Sequence, residues 1–279
     1  MTVRVEAHTR QYGREMPAHL PRPADTDHIR IEVANGIATV VLASPGRKNA
    51  INIEMWGELT AAFGWVAAEE SVRVVVVTGD GDDFCSGADL AKAPDSHWLA
   101  YMRYINAACL ALDAVPQPTL ARVDGVAVGA GLNLALACDL VVASDRARFS
   151  EIFAKRGLSI DFGGSWFLPR RVGLNKAKEL SLLAPMLDAA EAERIGLVNR
   201  VVPAQELDEA VADWARQLAA GPPVALAQTK ALLNRSSQSS LANALESEAA
   251  AQCVNFATAD TAEAIGAFLQ KREPRYTGR

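Results

Sequence analysis

Apolar residues follow two rhythms along this chain. Residues 29–33 and Ile37–Leu42 read as strands around Ala34-Asn35-Gly36, where the Asn-Gly pair supplies the positive φ of a hairpin turn. Helical spacing occupies about 52–70. Arg73-Val74-Val75-Val76-Val77-Thr78 is a nearly all-apolar, β-branched run of the kind covered on both faces. After the polar loop Gly79-Asp80-Gly81-Asp82-Asp83, a second helical stretch at about 97–115 ends before Pro116 and Pro118. Strand-like runs return at Thr119–Val123 and 139–143, with Gly-rich turns and helices between them. From about 175 onward the pattern is helical, with 196–202 as its one short strand candidate. Strands alternating with helices, followed by a helical last third, predict an α/β fold. The Ala-rich 241–257 has an apolar face for core cover or for another subunit, core cover being the simpler reading.

Residues 1–28 stand apart, since apolar residues are sparse and Pro17, Pro21 and Pro23 block helices, so a flexible extension is expected there. It contains no apolar run that could be a secretory signal, and no uncharged run in the chain approaches the roughly 20 residues that cross a bilayer. A soluble, cytoplasmic protein without membrane contact is the expectation. The net charge of −5, from 28 Lys+Arg against 33 Asp+Glu, argues against nucleic acid as a partner. The cysteines, Cys85, Cys109, Cys138 and Cys253, lie far apart and read as small buried hydrophobes. His8, His19 and His28 fall in the N-terminal stretch, so a His-based triad or metal site would rest on His97 alone, and no metal is expected.

Two segments share one physical plan, a strand running into a turn of small residues before a helix. One leads from the valine run to Phe84-Cys85-Ser86-Gly87-Ala88-Asp89-Leu90. The other is Asp124-Gly125-Val126-Ala127-Val128-Gly129-Ala130-Gly131, leading into Leu132-Asn133-Leu134. Small residues admit close approach to the backbone, and the first N–H groups of a helix lack internal partners, so such turns can hold an oxyanion. Each donor can contribute about 3–4 kcal/mol in a transition state. Taken alone, either segment has its simpler explanation in tight helix–strand packing. Neither is a dinucleotide fingerprint or a P-loop. The acids Asp80, Asp82 and Asp83 lack calcium-loop spacing and read as a solvated turn.

Together with Asn49-Ala50-Ile51-Asn52, Ala137-Cys138-Asp139 and the stretch from Phe149 to Gly157-Leu158, these segments resemble the enoyl-CoA hydratase/isomerase (crotonase) superfamily over about residues 29–279. The resemblance implies a spiral of β-β-α turns at 29–200, and a helical C-terminal region at 201–279 used to form a homotrimer or a dimer of trimers. It also implies an acyl-CoA substrate whose thioester oxygen accepts from the N–H groups of Ser86 and Ala130, with no cofactor beyond the coenzyme A of the substrate.

The family's hydratases use two glutamates, and by position these fall on Asn133 and Phe153, neither of which exchanges protons near neutral pH. Glu151 lies two residues from the second position and is expected to point elsewhere. Asp161, in Leu158-Ser159-Ile160-Asp161-Phe162-Gly163-Gly164-Ser165-Trp166, matches the acid of some isomerases of the superfamily. On residue type alone an N-cap of the following helix is the simpler account of Asp161. With the resemblance, catalysis is preferred: double-bond isomerisation of a 3-enoyl-CoA to a 2-enoyl-CoA, with Asp161 carrying the proton. Alternatives are a hydratase, an aryl-CoA dehalogenase with Asp161 as nucleophile and His97 as base, a non-catalytic acyl-CoA binder, and an RNA-binding relative, the last disfavoured by charge. Coenzyme A contacts are expected from Arg47, Lys48, Ala50, Ala88, Asp89 and Leu90, with Lys271 and Arg272 as further cations. Trp98, Tyr101, Met102, Asn133, Phe153, Phe162 and Trp166 are expected around the acyl group, although core packing accounts equally well for Trp98, Tyr101 and Met102.

Overall fold

Asn35 and Gly36 take φ values of 53° and 77° and join β1 (Ile29–Ala34) to β2 (Ile37–Leu42) in an antiparallel hairpin. The computed structural model describes residues 21–92 and 97–279. Asn52 accepts from the Met55 N–H at 2.9 Å and so starts α1 (Ile53–Ala68). There follow β3 (Val74–Gly79), α2 (Trp98–Asp113), β4 (Thr119–Val123), β5 (Val126–Val128), α3 (Ala130–Ala137), β6 (Leu140–Ser144) and β7 (Arg148–Ser150). The chain continues through α4 (Gly164–Leu183), β8 (Leu187–Asp188), α5 (Ala189–Arg194) and β9 (Arg200–Val202). It ends in α6 (Leu207–Ala219), α7 (Pro223–Ser236), α8 (Leu241–Phe256) and α9 (Ala259–Gln270).

A six-stranded sheet has the order β1-β2-β3-β4-β6-β9, parallel beyond the hairpin, and a smaller sheet has the order β5-β7-β8. Isolated parallel bridges, Ile51 to Ala88 and Cys85 to Ala127, pair the loop backbone at those residues and at β5. Each turn of chain therefore gives one strand to the large sheet and a shorter extended piece beside it before a helix, which is the β-β-α spiral. The short pieces β5, β7 and β8 are invisible to periodicity because two or three residues show no rhythm.

The valines of β3 are buried on both faces, as their unbroken apolar run predicts. Val75 and Val77 join the main core with α1 and α2, whereas Val74 and Val76 pack with Leu207, Ala210 and Val211 of α6. Two expected boundaries shift accordingly. A division at 200/201 cuts β9, and α6 covers the second face of the sheet, so the core extends through α6. At the other end, residues 1–20 lie outside the described residues, while 21–28 are held against β1. There Asp25 accepts from the Ile31 N–H at 3.0 Å and Thr26 donates to Glu58 at 2.9 Å.

Beyond α7 the chain buries little. Leu241, Leu245, Phe256, Ile265, Phe268 and Leu269 are exposed, with Leu182, Leu183 and Met186 at the end of α4. Among the described residues no helix is long and apolar enough to cross a membrane.

Candidate active site

The site is built on two loops that a buried asparagine pins together. Asn49 sits at φ 55° with its carboxamide inside: the oxygen accepts from the Ser44 N–H, and the nitrogen donates to the carbonyls of Asp80 and Asp83 at 2.9 and 2.6 Å. The acids of this loop are tied rather than merely solvated. Asp80 pairs with Arg30, Asp82 with Arg146 and Asp83 with Lys48.

From this anchor the backbone of 84–89 spends its amides on neighbouring segments. Phe84, Cys85, Gly87 and Asp89 donate to Asp124 O, Val126 O, Cys85 Sγ and Ile51 O. Ser86, the expected thioester donor, instead gives its N–H to Lys48 O at 2.9 Å. A parallel bridge uses the groups either side of its central residue, and here it leaves the Ala88 N–H without an acceptor among the described residues. The free donor in this loop is thus Ala88, and it stands in a loop, since α2 begins only at Trp98.

The second turn does run into a helix. Gly129, at φ 57°, precedes α3, and the Ala130 N–H at the helix start likewise finds no acceptor. Gly87 joins the two donors. A Cβ there would meet Val128 O at 2.8 Å and stand 3.6 Å from Ala130 N, so only glycine lets the two strands of backbone close. Two free amides, Ala88 and Ala130, flank this contact.

One turn along α3, Asn133 is completely buried. Its Nδ2 donates to the Asp161 carbonyl at 2.9 Å and to Glu151 Oε2 at 3.4 Å, and Gly164 packs on its carboxamide. Asp161 precedes two residues in left-handed conformation, Phe162 at 46° and Gly163 at 76°. This reversal makes Gly163 the N-cap of α4, without any side-chain cap. The Asp161 carboxyl therefore caps nothing. Its Oδ1 is buried without a hydrogen-bond partner, and burial pushes its pKa up to about 6.

Glu151, which sequence position suggested would point away, is 1% exposed and turned towards Asn133. The chain leaves β7 there for a tight turn at Ile152–Arg156, which breaks strand alternation and sends the side chain inward. Burial first, with the Asp161 charge adding to it, raises this carboxyl to about 8 against the opposing Asn133 hydrogen bond. A carboxylate embedded among Phe149, Ile152 and Phe153 was the available signal.

The other expected residues divide. Tyr101 and Met102 are half-buried against the core, and burial raises the Tyr101 phenol, with the Asp161 and Asp89 charges adding. Phe153 lies over Gly129, its Cζ 3.7 Å from where a Cβ would stand. Phe162 is fully buried on Trp56, with ring centres 5.3 Å apart, so it braces the Asp161 loop instead of facing an open pocket. Asn133 is likewise internal. Trp98 is 62% exposed. Trp166 lines a groove of about 570 Å³ between α4 and α7, with the Arg170 guanidinium 3.2 Å from its ring centre, away from the acyl residues named.

Among the cations, Arg47 is paired with Asp89, and both it and Lys48 are largely exposed beside the Ala50 and Ala88 backbone. Leu90 is exposed too. Arg272, just beyond α9, pairs with Glu263 of that helix, and among the described residues no hydrogen bond or ion pair brings it or Lys271 to these loops. His97 caps α2 by accepting from the Leu99 N–H at 3.2 Å, and among the described residues no hydrogen bond or ion pair joins it to Asp161.

The enoyl-CoA hydratase/isomerase family model matches residues 32–279. A protein named probable enoyl-CoA hydratase from Rhodobacter capsulatus is 39% identical over 254 residues, covering 90% of this chain and 98% of that one. The 1,2-epoxyphenylacetyl-CoA isomerase of Escherichia coli is 35% identical over 261 residues, covering 91% and 99%. The crystal structure of an enoyl-CoA hydratase from Bacillus anthracis superposes with a TM-score of 0.87 at 30% identity, covering 90% of this chain and all of that one.

Proposed function

The chain belongs to the enoyl-CoA hydratase/isomerase family, and on that premise we propose that it shifts the double bond of a 3-enoyl-CoA into conjugation with the thioester. The thioester oxygen accepts from the N–H groups of Ala88 and Ala130, which stabilise the enolate formed when a proton leaves C2. Asp161 takes that proton and returns it at C4. One carboxyl suffices because it alternates between base and acid.

The observation that carries this reading is the Asp161 carboxyl, which is half-buried, caps no helix and has one oxygen without a partner. The ion-paired acids of this chain do not look like that. Asp124, for example, is surrounded by Arg146, Ser144 and the Gly125 N–H, and these hold it below the usual carboxylate range despite its burial. Hydration needs a second acid facing the substrate, and the nearby Glu151 is enclosed.

Arg47 and Lys48, largely exposed beside these loops, are the cations assigned in this reading to the phosphates of coenzyme A. The exposed apolar side chains of α8 and α9 support assembly of several copies. The reading is tested by incubating the protein with a 3-enoyl-CoA and following conjugated absorbance. Growth of that absorbance, lost in Asp161→Asn, supports it. Failure to convert a 3-enoyl-CoA, with loss of absorbance from a 2-enoyl-CoA instead, overturns it in favour of hydration.

A further inference from the structure

Among the described residues the buried oxygens that lack a donor include these three, Asn133 Oδ1, Glu151 Oε1 and Asp161 Oδ1, and the Asn133 carboxamide bonds both the Glu151 side chain and the Asp161 main chain. So many unmatched acceptors is costly, since a buried polar group without a partner has given up its water for nothing in return. The Asn133 orientation is not free to change. Its nitrogen must face the Asp161 carbonyl, to which it donates at 2.9 Å, and a reversed carboxamide would set oxygen against oxygen. The same nitrogen donates to Glu151 Oε2 at 3.4 Å, which leaves one oxygen on each group unmatched.

We propose that Glu151 is a positioning residue that keeps its proton and closes a two-bond ring with the Asn133 carboxamide, so fixing the peptide of Asp161, and that losing the proton loosens this hold. In the ring, Nδ2 donates to one carboxyl oxygen and the carboxyl O–H donates to Oδ1. One proton then satisfies two of the three oxygens and both functional groups. An ionised Glu151 would instead set a charged acceptor beside a carbonyl acceptor. The surroundings favour the neutral form: among the described residues the one charged group acting on Glu151 is Asp161, itself an acid, and burial raises Glu151 to about 8. From α3 the group facing it is Asn133, and from the loop before α4 it is Asp161. Of the titratable groups of α2, Tyr101 and Cys109 feel the Asp161 charge, and none of them is among the groups acting on Glu151. At 1% exposure Glu151 does not reach substrate, so it acts through Asn133. The kinetic part of this inference rests on the isomerase reading, whereas the protonation does not.

The test compares wild type, Glu151→Gln and Glu151→Ala. A glutamine donates and accepts in the same pattern and has no proton to lose. Infrared difference spectra of wild type against Glu151→Gln at neutral pH should show the carbonyl stretch of a buried, protonated carboxyl, which disappears as pH passes about 8. In kinetics, Glu151→Ala should lose on the order of 10²-fold in kcat, as small displacements of a catalytic group do. Glu151→Gln should restore most of that and remove the alkaline decline expected of wild type above about pH 8. A carboxylate band for Glu151 at neutral pH, or an alkaline limb unchanged in Glu151→Gln, overturns the proposal. Should no enoyl-CoA be isomerised at all, the infrared result still decides the ring by itself.

Discussion

The Asn133 carboxamide donates to the main-chain carbonyl of Asp161 at 2.9 Å, tying the first helical turn of α3 to the loop that carries the proposed proton carrier. Asn133→Leu is therefore expected to lower kcat more than it raises KM, because it moves the acid and not the thioester donors. It should also cost about 1–3 kcal/mol of stability, since the Asp161 carbonyl loses its buried donor. Steady-state kinetics and urea unfolding read the two effects separately.

Asp161→Asn removes the proposed base while keeping shape. Conversion of a 3-enoyl-CoA should fall by about 10²–10⁴-fold with acyl-CoA binding retained. In wild type the activity should rise with pH through about 6, the value to which burial pushes this carboxyl, because the base must be ionised. A pH profile of kcat/KM, with binding measured by calorimetry, checks both.

Stability should depend on pH in a stated direction. Asp161 is raised from 3.8 to about 6 and Glu151 from 4.5 to about 8, so in these windows the folded chain holds protons that the unfolded chain has released. The linked stability is full below about pH 4 and is lost as pH rises through the folded values. Their share of Tm thus falls from pH 4 to 8. Asp161→Asn should flatten the lower part of that decline and Glu151→Gln the upper part.

Ala130 is the first residue of α3, a position at which proline fits a helix and removes the N–H. Ala130→Pro should leave the far-ultraviolet circular dichroism unchanged and cost about 10²–10³-fold in kcat, the loss of one oxyanion donor. Ser86→Ala should have little effect on rate, because the Ser86 N–H is engaged with Lys48 and survives the change.

Phe268 and Leu269 are 82% and 75% exposed on α9. If copies of the chain associate through this face, replacing both with glutamate should reduce the mass measured by light scattering to that of one chain. An unchanged multimer would place the interface elsewhere.

Local chemistry made much of this molecule legible in advance. Asn35-Gly36 specified a hairpin because those residues tolerate positive φ, and the valine run of β3 specified a strand covered on both sides because it offered water no polar face. Small residues likewise marked out the Gly87 and Gly129 turns, while it was the family resemblance that pointed to Ala130 and Asp161. Which of several equivalent groups is free was not legible, because that depends on neighbours distant in the chain. Ser86 and Ala88 both carry an N–H, and only the bridge to Ile51 and the carbonyl of Lys48 decide that Ala88 keeps its own. Asp161 has the side chain of an N-cap, and only the left-handed turn at Phe162 and Gly163 withdraws it from the helix. Glu151 was two residues from a familiar position, and only the turn after β7 brings it inward to Asn133. Residue type determined what each group can do; tertiary hydrogen bonding decided which donors and acids were left unpaired to do it.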